Sequence, residues 1–186
     1  MRLLHTTTLE LRSFVSAEHS LTPRYAILSH TWGEDELLLD DVKLGSQQIP
    51  RHKKGFSKVQ GSCDRAKTDG YEWIWIDTCC IDKSSSAELS EAINSMFWWY
   101  ERSDACYAYL SDVESKSALS WSRWFTRGWT LQELIAPNDV VLISADWTEI
   151  GNRSSMIREL SDVTGIDETM LERREGVPAN RSSSMN

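Results

Sequence analysis

The segment from Tyr71 to Asp82, YEWIWIDTCCID, places the tightest limit on how this chain folds. In an extended chain the residues Trp73 to Ile76 point alternately to opposite sides, so both sides of this strand are apolar. A strand that is apolar on both sides is typical of a sheet whose two faces are covered by helices. The segment therefore predicts a strand in the middle of an α/β sheet.

Strand patterns alternate with helix patterns along the rest of the chain. The predicted strands lie near residues 24–29, 72–77, 105–110 and 139–143. The predicted helices lie near residues 56–69, 86–102 and 153–164. Ser85 and Glu88 form a capping box at the start of the second helix. The alternation predicts a three-layer α/β fold, with a mainly parallel sheet and helices on both faces.

The second helix carries its apolar residues on one face. These residues are Leu89, Ile93, Met96, Phe97 and Tyr100. Spacings of three and four residues place side chains on the same side of a helix. The pattern therefore predicts that this face packs inward.

The composition is that of a globular domain, with 40% hydrophobic and 26% charged residues in 186. Nine Trp residues are many for this length. They indicate either a large aromatic core or aromatic surfaces that bind partners, and the sequence leaves both alternatives open.

The net charge of −8 argues against a nucleic-acid partner, because phosphate binding requires a basic surface. No apolar stretch approaches the length that crosses a membrane. The first residues, MRLLHTTTLELRSF, interrupt their apolar run with His5 and three Thr, which is not typical of a signal peptide. We therefore expect a cytoplasmic protein with no membrane partner.

The four cysteines show no CxxC spacing, and Cys79 and Cys80 are adjacent. A zinc site assembled from them with His30 or His52 is disfavoured, because structural zinc sites usually show paired ligand spacing. Buried free thiols are the favoured interpretation. We expect no metal site and no required cofactor.

Polar residues follow two of the predicted strands. Ser29 and His30 end the first strand, but neighbouring strand residues point to opposite sides, so they do not form a nucleophile and its base. Asp77 ends the second strand, either as a ligand of a metal or ribose or as a turn residue. Ligands of such sheets bind beyond the carboxyl ends of the strands. The residues predicted to share one cleft there are Ser29, His30, Trp32, Asp77, Trp129 and Glu133.

Glu133 lies in the segment RGWTLQELIAP, within a helix predicted over residues 129–136. Leu131, Leu134 and Ile135 share one face of this helix, which is predicted to face the core, and Glu133 falls on another. The periodicity favours a carboxylate that faces solvent and pairs with Arg127. The alternative is a carboxylate at the mouth of the cleft, beside an indole that stacks on a base or sugar.

Three motifs in order, YAILSHTWG, WIWIDTCCIDKSSSAELSEAINSMFWWY and RGWTLQELIAP, closely resemble the fungal heterokaryon incompatibility (HET) domain. The resemblance extends over residues 1–171, and residues 172–186 are predicted to form a polar, disordered tail. It implies a signalling domain that triggers programmed cell death in non-self recognition between fungal strains. It also implies protein partners or self-association.

The HET domain is in turn similar to TIR domains, through RYAILSHTWG and through SRWFTRGWTLQEL, which resembles the TIR stretch W-C-x-x-E-L. This similarity implies a TIR-like, flavodoxin-like fold. Many TIR domains cleave NAD at the nicotinamide–ribose bond, and their essential glutamate corresponds to Glu133, while Thr130 stands where they often have Cys. The similarity implies an NAD glycohydrolase in which Glu133 is a catalytic carboxylate on the rim of the cleft. The alternative is a non-catalytic module that acts by self-association or partner binding.

Overall fold

The structure, a computed structural model, describes residues 1–14 and 21–172. All of the predicted tail except Glu172 lies outside the described residues. The strands are β1 (Arg2–His5), β2 (Leu11–Ser13), β3 (Tyr25–His30), β4 (Trp73–Ile76), β5 (Ala105–Tyr109), β6 (Val140–Ile143) and β7 (Glu149–Asn152). The α-helices are α1 (Leu39–Lys43), α2 (Lys54–Thr68), α3 (Asp77–Cys80), α4 (Ser86–Glu101), α5 (Thr130–Ile135), α6 (Ile157–Thr164) and α7 (Glu168–Leu171). Short 3-10 helices span Lys116–Trp121, Arg123–Thr126 and Ser154–Met156.

The strands form one mixed sheet in the order β2-β1-β4-β3-β5-β6-β7. The four predicted strands are confirmed as β3 to β6, and they pair in parallel. The prediction of a mainly parallel sheet is wrong outside these four strands, because β1, β2 and β7 pair antiparallel. Antiparallel pairs need only tight turns, so such strands can be added at an edge without a crossover helix.

The helices predicted near residues 56–69, 86–102 and 153–164 are confirmed as α2, α4 and α6, although residues 154–156 before α6 form a 3-10 turn, and the helix predicted over residues 129–136 is α5. At the start of α4, Ser85 Oγ accepts from the backbone N of Glu88 at 3.3 Å, as the capping box requires. The carboxylate of Glu88 contacts the Arg2 guanidinium and the backbone N of Asp82 instead of completing the box. The N-terminal strand β1 is thereby attached to α4.

Both faces of the inner sheet are buried, as the apolar run in β4 predicts. Every residue of β3 is buried, and Trp75 in β4 is fully buried. On one face, Tyr25 donates to the carbonyl of Trp99 in α4 at 2.6 Å. Tyr107, on the opposite face, donates to Asp69 at the end of α2 at 2.7 Å. Helices therefore contact the sheet from both faces.

The position of α5, which carries Glu133, is fixed by Arg153 after β7. The Arg153 guanidinium is buried and donates to the carbonyls of Leu134, Pro137 and Asn138 at 2.7–2.9 Å. The last carbonyls of a helix lack partners within the helix, and a cation there also complements the helix dipole. The antiparallel edge thus anchors the helix that borders the predicted cleft.

Candidate functional site

A cleft of about 500 Å³ opens at the carboxyl ends of β3 and β4. One wall is apolar and comes from α4. The side chains that form it are Leu89, Ile93, Met96 and Tyr100. The remaining wall comes from the residues after β3 and β4 and from the segment that leads into α5. The α4 face predicted to pack inward therefore lines a cavity over much of its length, and Ile93 and Phe97 are more than 40% exposed.

Asp77 is the centre of one polar group, the Asp77 cluster, which consists of His30, Trp32, Asp77 and Lys83. His30 Nε2 lies 2.9 Å from Asp77 Oδ1, and the Trp32 indole donates to Asp77 Oδ2 at 2.7 Å. Burial raises the pKa of the Asp77 carboxyl, but His30, Lys83 and Trp32 together outweigh it and hold this pKa below its usual value. The carboxylate thus contacts the last residue of β3 and the loop that follows this strand.

Lys83 completes this cluster without bonding to the carboxylate. Its ammonium nitrogen lies 3.3 Å from the centre of the Trp32 ring, in a cation–π contact. The nitrogen is buried and has no hydrogen-bond acceptor among the described residues. Burial lowers the pKa of Lys83, and the charge of Asp77 offsets this only in part.

Glu133 belongs to a second group, the Glu133 cluster, which consists of Ser29, Trp124, Arg127 and Glu133. Arg127 donates from both terminal nitrogens to the two carboxylate oxygens of Glu133, at 2.8 and 3.1 Å. Ser29 Oγ donates to Glu133 at 2.5 Å and accepts from the Trp124 indole at 2.7 Å. Both carboxylate oxygens therefore have partners from the protein.

The prediction that Glu133 faces solvent is wrong, because Glu133 is 3% exposed, whereas its pairing with Arg127 is confirmed. Leu131, predicted to face the core, is 54% exposed, while Leu134 is fully buried as predicted. A helix of six residues is too short for its periodicity to identify the buried face. The burial also corrects the expectation of a rim carboxylate.

Five of the six residues predicted to share the cleft line it: His30, Trp32, Asp77, Trp129 and Glu133. Ser29 lies behind Glu133, and it points away from His30 as the strand alternation predicts. Sequence reasoning missed Lys83 and the cleft-lining face of α4. Lys83 could have been found from its place shortly after β4, at the carboxyl end of a strand.

The four cysteines are free and buried, which confirms the interpretation as buried thiols. In the described ranges, 1–14 and 21–172, no group of three or more His, Cys, Asp or Glu residues could hold a metal ion. Over the same ranges, none of the helices has the length and apolar character needed to cross a membrane.

The tryptophans divide between the two alternatives left open by the composition. Trp75 and Trp124 are fully buried, whereas Trp32 and Trp129 are about half exposed at the cleft. Trp121 is 85% exposed. The fold and these residues define an α/β domain with a ligand-sized cleft, lined by aromatic and charged side chains, at the carboxyl ends of its parallel strands.

Sequence comparisons identify the family of this domain. The heterokaryon incompatibility protein (HET) family matches residues 25–121, and the chain belongs to this family. The vegetative incompatibility protein HET-E-1 of Podospora anserina is 46% identical over 182 residues. The match covers 91% of this chain and 13% of that protein, so the chain spans a small part of the relative's length. No solved structure matches the chain.

Proposed function

We propose that this chain acts in heterokaryon incompatibility as a cytoplasmic domain that triggers cell death by cleaving NAD in the cleft. The family and the name of the Podospora relative support the incompatibility role. The net charge of −8 favours a small-molecule or protein partner over a nucleic acid.

We also propose that the arrangement of the inner sheet is TIR-like and flavodoxin-like, with three layers. The four parallel strands follow the order β4-β3-β5-β6, which is second, first, third and fourth in the chain. Flavodoxin-like sheets have this order and bind ligands where the strand order reverses. The reversal falls beside β3, where the cleft opens.

The observation that carries the enzymatic proposal is the Glu133 carboxylate, buried and fixed in direction on the wall of a cleft with aromatic sides. Cleavage at a ribosyl carbon passes through an oxocarbenium-like state, which a fixed anion stabilises. The bond between ribose C1′ and the nicotinamide nitrogen breaks, and its electron pair leaves with neutral nicotinamide. Water then adds to C1′ and releases a proton, which gives ADP-ribose.

In this proposal Arg127 and Ser29 hold the carboxylate in one orientation. A charge that is fixed before the reaction needs no reorganisation while the bond breaks. Trp32 and Trp129, both about half exposed, offer faces on which an adenine or nicotinamide ring stacks. The apolar α4 wall excludes water from the far side of the ligand.

The test is NAD consumption by the concentrated purified chain, with free nicotinamide measured by chromatography. We expect Glu133→Gln to abolish nicotinamide release, and Glu91→Gln, which alters an exposed acid on α4, to leave it unchanged. Unfolding curves of both variants check that the domain remains folded. Wild-type protein that releases no nicotinamide, or folded Glu133→Gln protein that releases it at the wild-type rate, would refute the proposal.

The same variants test the biological role. Overproduction of the chain in a fungal cell with an intact signalling context is expected to arrest growth. Under the enzymatic proposal Glu133→Gln abolishes the arrest, and Glu91→Gln retains it. A stable Glu133→Gln protein that still arrests growth would exclude catalysis by Glu133.

A second candidate, a non-catalytic interaction module, is favoured by exposed aromatic residues on α4. Trp98 is 51% exposed and packs against Phe97, which is 42% exposed, in an edge-to-face contact. Large aromatic residues are common at the centres of protein interfaces. The acidic stretch of residues 34–41, which runs into α1, is a weaker candidate surface, because Glu36 is buried against Lys58 and Asp41 pairs with Lys53. Under this candidate Trp98→Ala abolishes growth arrest while Glu133→Gln does not.

A further inference from the structure

Lys83 differs from the other cation of the cleft wall in how its donors are used. The Arg127 guanidinium is hydrogen-bonded to both oxygens of Glu133. The Lys83 ammonium has three donors, yet none of the described residues accepts from it. The carboxylate that interacts most strongly with its charge, Asp77, already accepts from His30 and Trp32. Lys83 therefore lines the cleft with the hydrogen-bonding capacity of its buried nitrogen unused.

The surroundings of Lys83 favour an anionic ligand. A buried ammonium without acceptors is unfavourable, because the protein replaces the water that solvated it with little in return. The Trp32 ring provides a partial substitute through its negative face. Burial lowers the pKa of Lys83, as expected for an ammonium that has lost its solvent. An anion beside this nitrogen would supply the missing acceptors and restore the favourable charge interaction.

His30 gives a second, independent sign that this part of the cleft binds a ligand. Its Nδ1 is buried and has no hydrogen-bond partner within the described part of the chain, although its Nε2 contacts Asp77. Buried polar side-chain atoms usually have partners, so two such atoms without partners on one cleft require an explanation. Both side chains belong to the Asp77 cluster and line the same cavity.

We infer that Lys83 binds the phosphate groups of a nucleotide that enters the cleft. This inference rests on the proposed function, which supplies a nucleotide as ligand, and it assigns the anionic part of that ligand to the Asp77 cluster. Phosphate oxygens accept from ammonium donors, and lysine recognises phosphate as a compact point charge. A cavity of about 500 Å³ lies within the usual size of small-molecule sites. Trp32 then has two roles in this site. Its ring makes the cation–π contact with the Lys83 ammonium, and its indole nitrogen donates a hydrogen bond to Asp77.

The experiment measures binding of three probes by calorimetry: ADP, inorganic pyrophosphate and the uncharged adenosine. The variants are Lys83→Met, which keeps chain length and removes the charge, Lys83→Arg, which keeps the charge, and Lys67→Met. The last is a matched control, because Lys67 is exposed on α2. Thermal unfolding confirms that each variant is folded.

We expect Lys83→Met to weaken ADP and pyrophosphate binding by about tenfold or more, since a charged hydrogen-bonding partner is lost. Adenosine binding and the Lys67→Met control stay at wild-type values, and Lys83→Arg retains most of the ADP affinity. Equal ADP affinity in wild type and Lys83→Met overturns the inference. Wild-type protein that binds neither phosphate probe overturns it as well.

Binding and cleavage measurements together distinguish phosphate binding by Lys83 from the proposed cleavage of NAD. If the chain cleaves NAD and Lys83→Met does so with an unchanged KM, the phosphate assignment fails while the proposed function stands. If the chain binds ADP and pyrophosphate through Lys83 yet releases no nicotinamide from NAD, the proposed reaction fails while the phosphate assignment stands.

Discussion

Asp77 and Glu133 border the same cleft, and each lies beside a tryptophan and a cation. The cation of the Glu133 cluster is hydrogen-bonded to its carboxylate through two nitrogens. The cation of the Asp77 cluster stacks on an indole instead and contacts no carboxylate oxygen by a hydrogen bond. The Glu133 side chain is 4% exposed, whereas the Asp77 side chain is 19% exposed.

The difference between the two clusters concerns what each can still bind. The Glu133 cluster satisfies its own charges, so removing either charged member leaves the other charge without its partner. The Asp77 cluster satisfies its carboxylate but leaves a cation with unused donors. The Glu133 cluster therefore fixes the orientation of its carboxylate and stabilises the fold. The Asp77 cluster retains hydrogen-bond donors that a ligand could use.

The largest expected effect comes from removing the cation of the Glu133 cluster. Arg127→Met leaves Glu133 buried and unpaired, and we expect a loss of about 3–5 kcal/mol in the free energy of unfolding. Urea unfolding at pH 7 measures it. The double variant Arg127→Met with Glu133→Gln should recover part of the loss, because no unpaired charge remains. A loss below about 1 kcal/mol in the single variant would show that Glu133 finds solvent or another partner.

Leu134→Ala separates packing from charge on the same helix. Leu134 is fully buried beside Glu133, and truncation should reduce the free energy of unfolding by about 2–5 kcal/mol. Leu131→Ala is the matched control, since Leu131 is 54% exposed and should change stability by less than about 0.5 kcal/mol. Similar losses in both variants would contradict the observed orientation of α5.

Glu133→Gln should have a smaller effect, because it keeps the shape and removes the charge. The hydrogen bonds from Arg127 and Ser29 involve a charged acceptor, so we expect a loss of about 1.5–3 kcal/mol in unfolding free energy. If Glu133 faced solvent, as its sequence periodicity favours, the same substitution would change the unfolding free energy by close to zero. Chemical denaturation of the variant distinguishes the two values.

Asp77→Asn should have the smallest effect, about 1 kcal/mol at pH 7, with a defined pH dependence. The pKa of Asp77 is lower in the folded chain than in the unfolded one, so its charge stabilises the fold above the unfolded value of about 3.9. That contribution is lost as the pH falls through the folded pKa. The stability difference between wild type and variant should therefore be largest near neutral pH and disappear in acid. A difference that is constant with pH would assign the effect to lost packing.

The inner fold could be predicted from the sequence, because β3 to β6 are short apolar runs separated by amphipathic helices. The edge strands β2 and β7 could not be predicted in this way. β2 has three residues and is largely exposed, and β7 has no buried residue, so neither carries an apolar pattern. Such strands form because the neighbouring strand offers free backbone groups, which the local sequence does not reveal.

The site could be predicted in part. The rule that ligands bind at strand ends located His30 and Asp77 without knowledge of their contacts. The burial of Glu133 depends on Ser29 and Trp124, which approach from other parts of the chain, and a six-residue helix gives no periodic signal for it. The apolar stripe on α4 shows which residues share a face. It does not show whether another helix or a cavity lies opposite.

The hydrogen bond between Ser29 and Glu133 joins residues that are 104 positions apart, whereas His30 and Asp77 are 47 apart. During synthesis the chain emerges from its N-terminus, so both partners in the Asp77 cluster leave the ribosome well before α5 does. Long-range contacts also form slowly, because closing a long loop reduces chain entropy before any contact compensates. A nascent chain can therefore complete the Asp77 cluster but not the Glu133 cluster. Any chemistry that depends on Glu133 therefore begins only after the whole of α5 has been made and has folded against β3.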